Sequence, residues 1–393
     1  MNRGRVVVAG GSLGGLTAGL LLADAGLDVS IHERSPSELQ ERGAGIGLLP
    51  DSARYLVERA GVALDDISTS TSRIRYLGRD GDVVHDQAHR YRFSSWNTVY
   101  RRLLGCFDRD RYVLGSEVTG FEVKDASVRV ELAHDVPIDA DLLVCADGVS
   151  SSARRRLLPD VRVRYAGYVA WRGMQPEAEL DADARARLDD SITYFVYANS
   201  HILLYPIPGP DGSVTPGERL INFVWYRNYL AGGDLDDLLT GATGKRHEHS
   251  VPPGGARDDH VAEMRAVARA RLPELVADVV CSVDRPFVQV ICDVEVPRMA
   301  FERVCLVGDA AWVVRPHAAA GTAKAAADGW ALADALVAHD DVDSALAAWE
   351  PAQLALGRQL LDRTRRIGSH SQVDCNWVPG DPELIFGLRG PGR

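Results

Sequence analysis

The apolar positions of the first 33 residues form three runs with three different rhythms. RVVVAG is continuous and ends at glycine, GSLGGLTAGLLLADAG carries leucines and alanines at helical spacing, and LDVSIHE alternates. Strand, helix and strand in this order predict a βαβ unit and a parallel sheet. Two more runs of the buried-strand kind lie far downstream, ADLLVCADG over 140–148 and RVCLVGDA over 303–310, each breaking abruptly at an Asp-Gly or Gly-Asp pair. Such runs suit strands covered on both faces, and the three are expected to share one sheet.

Between these runs the pattern changes. Segments 74–95 and 166–284 are richer in Tyr and Trp and alternate with period two, so that Ser200 to Pro208 (SHILLYPIP) and Arg219 to Arg227 (RLINFVWYR) read as antiparallel strands. The expected class is α/β. A Rossmann-like domain is read in three pieces, 1–73, 96–165 and 285–393, the last bearing the C-terminal helices. A second, α+β domain built on an antiparallel sheet, from 74–95 and 166–284, is inserted into it. The polar, Gly- and Pro-rich stretch 241–260 reads as a long loop. An Ala/Leu-rich helix is expected from Gly321 to about 338, and another from about 343 to 367, kinked or broken at Pro351, with Arg358, Arg363, Arg365 and Arg366 on a solvated face.

Composition narrows the function. The chain has 393 residues, 46% hydrophobic and 25% charged, which suits folded domains with a sizeable core and excludes disorder over most of the length. A net charge of −11 repels phosphodiester backbones and anionic lipid heads, so no nucleic-acid and no membrane partner is expected. The six cysteines include no CxxC pair, and Cys145 and Cys305 sit inside apolar runs, which together with the lack of a signal-peptide pattern points to the cytoplasm. Function is therefore sought in a pocket.

After the first strand, Gly10-Gly11-Ser12-Leu13-Gly14-Gly15 fits the dinucleotide fingerprint G-x-G-x-x-G with Ser12 at the second glycine. The chemistry needs a tight turn at Gly10, close backbone approach to a pyrophosphate near Ser12, Leu13 and Gly14, and a packed helix–strand contact at Gly15. Free amide hydrogens at the helix start supply local positive potential. Glu33, followed by Arg34, ends the second strand eighteen residues past Gly15, where a carboxylate accepts from ribose hydroxyls and repels a 2′-phosphate. The ligand is then FAD or NAD.

Asp147-Gly148-Val149-Ser150-Ser151-Ser152-Ala153-Arg154 has the form DGxxSxxR, and Gly308-Asp309-Ala310-Ala311 is followed by Arg315-Pro316-His317 and by Gly321 opening a helix. With the glycine fingerprint these make three ordered motifs, and over nearly its whole length the chain resembles the single-component (group A) FAD-dependent aromatic hydroxylases. The resemblance implies FAD as cofactor, with Asp309 on the ribityl hydroxyls, Asp147 at the flavin and reduced-nicotinamide site, Arg101 (in Arg101-Arg102-Leu103-Leu104) near the pyrophosphate, and Pro316, Ala320 and Gly321 around the ring. It also implies NAD(P)H as a transient co-substrate, since there is no second glycine fingerprint. Trp312 and Ala319-Ala320-Gly321-Thr322-Ala323 depart from the common family pattern. The run Arg315-Pro316-His317-Ala318-Ala319-Ala320-Gly321, YVAWRG (168–173) and Tyr205-Pro206-Ile207-Pro208-Gly209 look instead like the branch that contains 2,6-dihydroxypyridine 3-hydroxylase.

The activity so implied is hydroxylation of a small hydroxylated aromatic or pyridine-type ring with O2, through a flavin hydroperoxide. Electrophilic oxygen transfer wants an electron-rich ring, hence a base that removes a hydroxyl proton in an apolar pocket. Period two places His201, Leu203 and Tyr205 on one strand face. His317, beside the flavin by the resemblance, and His201 are the candidate bases; Tyr205 is a candidate donor to a substrate oxygen. Trp171 and Arg172 are read as a stacking wall and a cation in the substrate site, Arg172 equally as a domain tie. His247, His249 and His260 lie in a loop with no strand pattern and no cysteine, so no metal is expected there. Epoxidation, Baeyer–Villiger or polycyclic oxygenation on the same scaffold, a flavin-free NAD-dependent dehydrogenase, and a homodimeric assembly all stay open at this point.

Overall fold

The computed structural model describes residues 4–39 and 44–393. The predicted βαβ unit forms as Arg5–Ala9, Leu13–Asp24 and Asp28–Glu33. The two downstream runs become Leu142–Cys145 and Val304–Leu306, which pair parallel beside Arg5–Ala9 in a six-stranded sheet edged by Tyr112–Leu114 and the antiparallel Ala300–Phe301. These strands read as unbroken apolar runs because helices cover the sheet. The helix Leu13–Asp24 is buried along most of its length and crosses Gly321–Ala338 closely, where a Cβ at Gly329 would lie 3.2 Å from the Ala18 backbone.

A nine-stranded sheet forms the second body, running in order Ser250–Val251, Phe287–Asp293, Arg164–Pro176, Leu220–Asn228, Ser200–Ile207, Ser191–Tyr197, Thr69–Leu77, Val83–Ser95 and Gly45–Gly47. All pairs are antiparallel except Ser191–Tyr197 with Thr69–Leu77. The sheet reaches past the expected segments 74–95 and 166–284, since it begins its central run at Thr69 and takes in Phe287–Asp293. FVQVICD is apolar without clean alternation, which in sequence looks like a strand of a parallel sheet.

Alternation gives this sheet two unlike faces. Val169, Trp171, Phe223, Trp225, Ile202 and Leu204 pack against the helices Asp258–Arg271 and Glu274–Ser282. Tyr168, Tyr226, Tyr205, Tyr194, Tyr76 and Phe93 form the opposite face, covered by Phe386 and Trp377 from the C-terminal segment. The stretch 241–260 is loop except for Ser250–Val251 and the start of the helix at Asp258.

The last helix runs unbroken from Val342 to Gln372 with Pro351 inside it. Its arginines do not form one solvated face. Arg358 and Arg366 are exposed, whereas Arg363 is buried and donates to the carbonyls of Gly387, Glu383 and Ile385, and Arg365 donates to Asp293 at 3.0 Å. Charge alone suggested solvent; a guanidinium's several donors make it equally suited to gathering carbonyls. Among the described residues no helix is long and apolar enough to cross a membrane.

Arg363→Met should leave three carbonyls without their donor and lower stability by about 1–3 kcal/mol. Urea unfolding reads the loss, and limited proteolysis near residues 383–387 should become faster; unchanged values for both would show that Arg363 does not dock the C-terminal segment.

Candidate active site

A cleft of about 580 Å³ opens between the two bodies. From the glycine turn and second strand it is lined by Gly10, Ser12, Glu33 and Arg34, from the other motifs by Asp147 and Asp309, and at its far end by Arg172. Three segments distant in sequence thus share one cavity. Gly10 has φ +102°, and a Cβ there would sit 2.4 Å from the Ala146 carbonyl; one at Gly15 would sit 1.9 Å from the Gly10 carbonyl. Neither position admits a side chain. Ser12 is the N-cap of Leu13–Asp24 but its hydroxyl makes no cap bond, which leaves first-turn amides facing a ligand. Glu33 ties the turn to its strand: its carboxylate accepts from the amides of Gly11 and Ser35, both at 2.8 Å, and keeps lone pairs for the cleft.

Arg154 joins the other two motifs. Its buried guanidinium donates to Val149 in the DG loop and to the carbonyls of Asp309 (3.1 Å) and Ala310 (2.9 Å) in the GD turn. Asp147 uses Oδ2 to cap the helix Ser152–Leu157, accepting from the Ser152 amide at 2.8 Å, while its buried Oδ1 has no partner among the described residues. Asp309 opens into the cleft yet is otherwise ringed by protein. Burial pushes its carboxyl up to about 6, with Arg154 and Lys324 pulling the other way. A row of polar groups along a strand-end cleft, one of them an unpartnered buried carboxylate oxygen, fits the hydroxyls and phosphates of an adenine dinucleotide.

Not every expected contact lines this cavity. Leu13, Gly14, Pro316, Ala320 and Gly321 are not among the lining residues. Leu13 is buried and Gly14 half-buried in the first turn of the helix that Ser12 opens, and Ala320 caps the helix Gly321–Ala338. Arg101 also lies elsewhere, its guanidinium donating to the Pro210 carbonyl at 2.8 Å. Trp171 is overturned as a pocket wall. It is fully buried on the helix-covered face of the sheet, because neighbours on a strand point to opposite sides and Arg172 takes the other one.

That other face carries the remaining candidate side chains. Arg172 donates to Gln289 Oε1 at 3.0 Å and to the Gly45 carbonyl at 2.6 Å, reaching from the inserted sheet to its own last strand. His317 and His201 lie on this face with ring centroids 5.4 Å apart, and Tyr226 packs 4.7 Å from His317. Tyr168 Oη and His317 Nε2 are 2.7 Å apart. His201 Nδ1 meets Gln372 Nε2 at 3.2 Å. Tyr205 stacks on Phe93 with centroids 4.1 Å apart, and burial pushes its phenol up to about 12 against the pull of Arg172.

Both imidazoles are neutral here. Burial pushes His201 down to about 3, and burial, then His201 and Arg315, hold His317 well below the ordinary histidine range. Three buried polar atoms attached to this face have no partner among the described residues: Arg172 Nε, Asn222 Nδ2 and Gln372 Oε1. Tyr168, Tyr226 and Asn222 were missed in the sequence, although alternation from Arg172 back to Tyr168 carries the signal. Of the loop histidines, His249 lines the cleft and His260 faces Asp237 at 3.3 Å.

Comparison with known proteins bears on this geometry. A family described as FAD binding domain-like matches residues 165–293. The 2,6-dihydroxypyridine 3-monooxygenase of Paenarthrobacter nicotinovorans is 36% identical over 390 residues, 98% of this chain and 96% of that one. The solved structure of 2,6-dihydroxypyridine-3-hydroxylase from Arthrobacter nicotinovorans superposes with a TM-score of 0.93 at 35% identity, covering 98% of this chain and 97% of that chain. HpxO from Klebsiella pneumoniae, solved with FAD and uric acid, shares the fold at 22% identity with a TM-score of 0.76, covering 97% of this chain and 90% of that chain. Three motifs meeting in one dinucleotide cleft beside a buried aromatic face, in a chain this similar from end to end, place the protein in the family of single-component FAD-dependent aromatic hydroxylases.

Proposed function

We propose that this protein is an FAD-dependent monooxygenase that hydroxylates a small hydroxylated aromatic or pyridine-type ring. The overall change is ring C–H + O2 + NAD(P)H + H⁺ → ring C–OH + H2O + NAD(P)⁺. The observation that carries the reading is the junction of a dinucleotide cleft with a buried aromatic face holding two neutral imidazoles and unpartnered polar atoms. Bound FAD supplies the redox chemistry, taking a hydride from NAD(P)H and activating O2.

The chain's own residues bind, orient and exclude water. Gly10, Ser12 and the first-turn amides receive the pyrophosphate, Glu33 the adenosine ribose, and Asp309 and Asp147 the ribityl and flavin end. Arg172 lines the cleft, and its buried Nε has no partner among the described residues. On the same face of the sheet His201 packs on Tyr226, His317 and Trp377 with ring centroids 4.5–5.4 Å apart, and Tyr226 on His317 at 4.7 Å. A dry aromatic surface of this kind suits a flat ring and keeps water from the reacting carbon. Six free cysteines, of which Cys145, Cys292 and Cys305 are buried with thiols pushed up by burial, support a reducing cytoplasmic setting.

A panel of phenols and hydroxypyridines scored for stimulated NADH and NADPH oxidation tests the assignment; at least one ring should stimulate oxidation and yield a product heavier by one oxygen atom. Stimulation by none would overturn it. Arg154→Met should weaken FAD binding by roughly tenfold or more, since losing a buried charged clamp costs several kcal/mol shared between fold and site. Flavin fluorescence titration of the apoprotein measures this, and unaltered affinity would detach Arg154 from the cofactor.

The buried histidines also make the fold acid-sensitive. An imidazole held at about 3 when folded binds its proton more readily in the unfolded chain, so stability rises with pH between about 3 and 6.5 and is complete above that window. Each such group contributes up to about 1.4 kcal/mol per pH unit. Urea unfolding at pH 4.5 and 7 should show a steeper pH dependence in the wild type than in His201→Asn; equal slopes would contradict the burial of a neutral His201.

A further inference from the structure

A second cavity, of about 390 Å³, shares no lining residue with the cofactor cleft. It lies where the chain crosses between the two bodies. One crossing leads from the helix Ser152–Leu157 into the strand Arg164–Pro176 and lines the cavity with Asp160, Arg162 and Arg164. The other leads out of Phe287–Asp293 toward Ala300–Phe301 and contributes Asp293 and Glu295. Arg164 and Asp293 are register partners at the end of the sheet, so the two crossings run side by side. The last helix supplies Arg358 and Arg365, seven residues apart and hence on one helical face.

Charge accounting separates the groups that build the cavity from those left over. Asp293 is buried, and its carboxylate accepts from Arg315 twice and from Arg365 once, all at 3.0 Å. Glu295 stands between Arg358 at 3.7 Å and Arg365 at 3.6 Å. Both carboxylates are thus committed to cations of the last helix and of the turn before His317. Arg162 and Arg164 have no such partner. The Arg162 guanidinium donates to the Pro159 carbonyl, and that of Arg164 makes no hydrogen bond or ion pair with a described residue. Four guanidiniums against three carboxylates leave the lining net positive in a chain of net charge −11. A guanidinium presents its N–H donors as a fork that matches a carboxylate or phosphate group. Among the described residues no aromatic side chain lines the cavity, so nothing there stacks on a nucleobase or a ring substrate.

We propose that this cavity is an oxyanion site, which takes the phosphate or carboxylate group of a small metabolite on Arg162, Arg164 and Arg358. The bound anion ties the entrance of the inserted sheet to a helix whose Leu346, Trp349 and Leu361 belong to the core of the cofactor body. It therefore holds the two bodies together at the place where the chain passes between them. Asp160, the remaining carboxylate of the lining, limits how much negative charge the site accepts. The site is separate from those of FAD and the ring, so it does not depend on the hydroxylase reading.

Isothermal titration of the FAD-loaded protein with inorganic phosphate and with citrate, at constant ionic strength, tests the proposal. At least one anion should bind saturably, and its saturation should raise the melting temperature. The double variant Arg162→Gln/Arg164→Gln should bind it at least about tenfold more weakly, since two charged forks are lost. Asp160→Asn should bind it severalfold more tightly, because a like charge is removed. All three side chains are exposed, so neither variant disturbs the core. Binding of phosphate alone assigns the site to phosphorylated metabolites, and of citrate alone to carboxylates. No saturable binding of either anion up to about 20 mM, an affinity too weak for a built site, overturns the proposal. Equal affinity in the wild type and the double variant also overturns it, as does an Asp160→Asn protein that binds no more tightly than the wild type.

Discussion

The buried guanidinium of Arg154 is the constraint on which the cofactor cleft depends. A charge withdrawn from water costs several kcal/mol unless its donors are met, and those of Arg154 are met by carbonyls from two different loops. Val149 fixes the loop that presents Asp147, and Asp309 and Ala310 fix the turn that presents Asp309. One layer below, the buried pair Lys324–Asp328 at 2.5 Å does the same for the approach, with Asp328 accepting from the Gly308 amide at 2.9 Å. The two aspartates face one cavity because neither loop can move without stranding a buried charge.

The second body meets a different constraint, that of burying both sides of one sheet. Alternation divides the nine-stranded sheet into a face sealed by helices and a face of tyrosines, phenylalanines and histidines. Arg172 belongs to both parts of the site, lining the cleft and reaching Gly45 on the last strand. Ala319 completes the junction at some cost: it adopts φ +54°, a region that favours glycine, in the turn that delivers His317. Gly47 faces it, and a Cβ there would lie 2.5 Å from that of Ala319, so strand and turn pack at backbone distance.

Much of this was legible in the sequence. The glycine turn, the parallel strands and the Asp-Gly breaks announce themselves because buried parallel strands are continuous apolar runs and tight turns demand glycine. Gly10, Ser12, Glu33, Arg34, Asp147 and Asp309 do line one cleft. The errors have equally physical causes. Trp171 was paired with Arg172 as pocket walls although adjacent strand residues face apart, and Arg363 and Arg365 were read as solvated because sequence shows charge but not the carbonyls and carboxylates that will surround it. Tyr168 and Gly368, which pack together, were invisible as a pair, since their meeting requires the last helix to cross a strand two hundred residues earlier, a packing that no local pattern encodes.

The account stands or falls on the convergence of three loops upon one ligand, and a crystal structure of the FAD-loaded protein tests it most directly. Density for a single FAD should run from Glu33 past Ser12 to Asp309, with its ring end beside Asp147 and Arg172. An FAD bound elsewhere, or one that leaves Asp147 and Asp309 without contact to it, would contradict the account at its root.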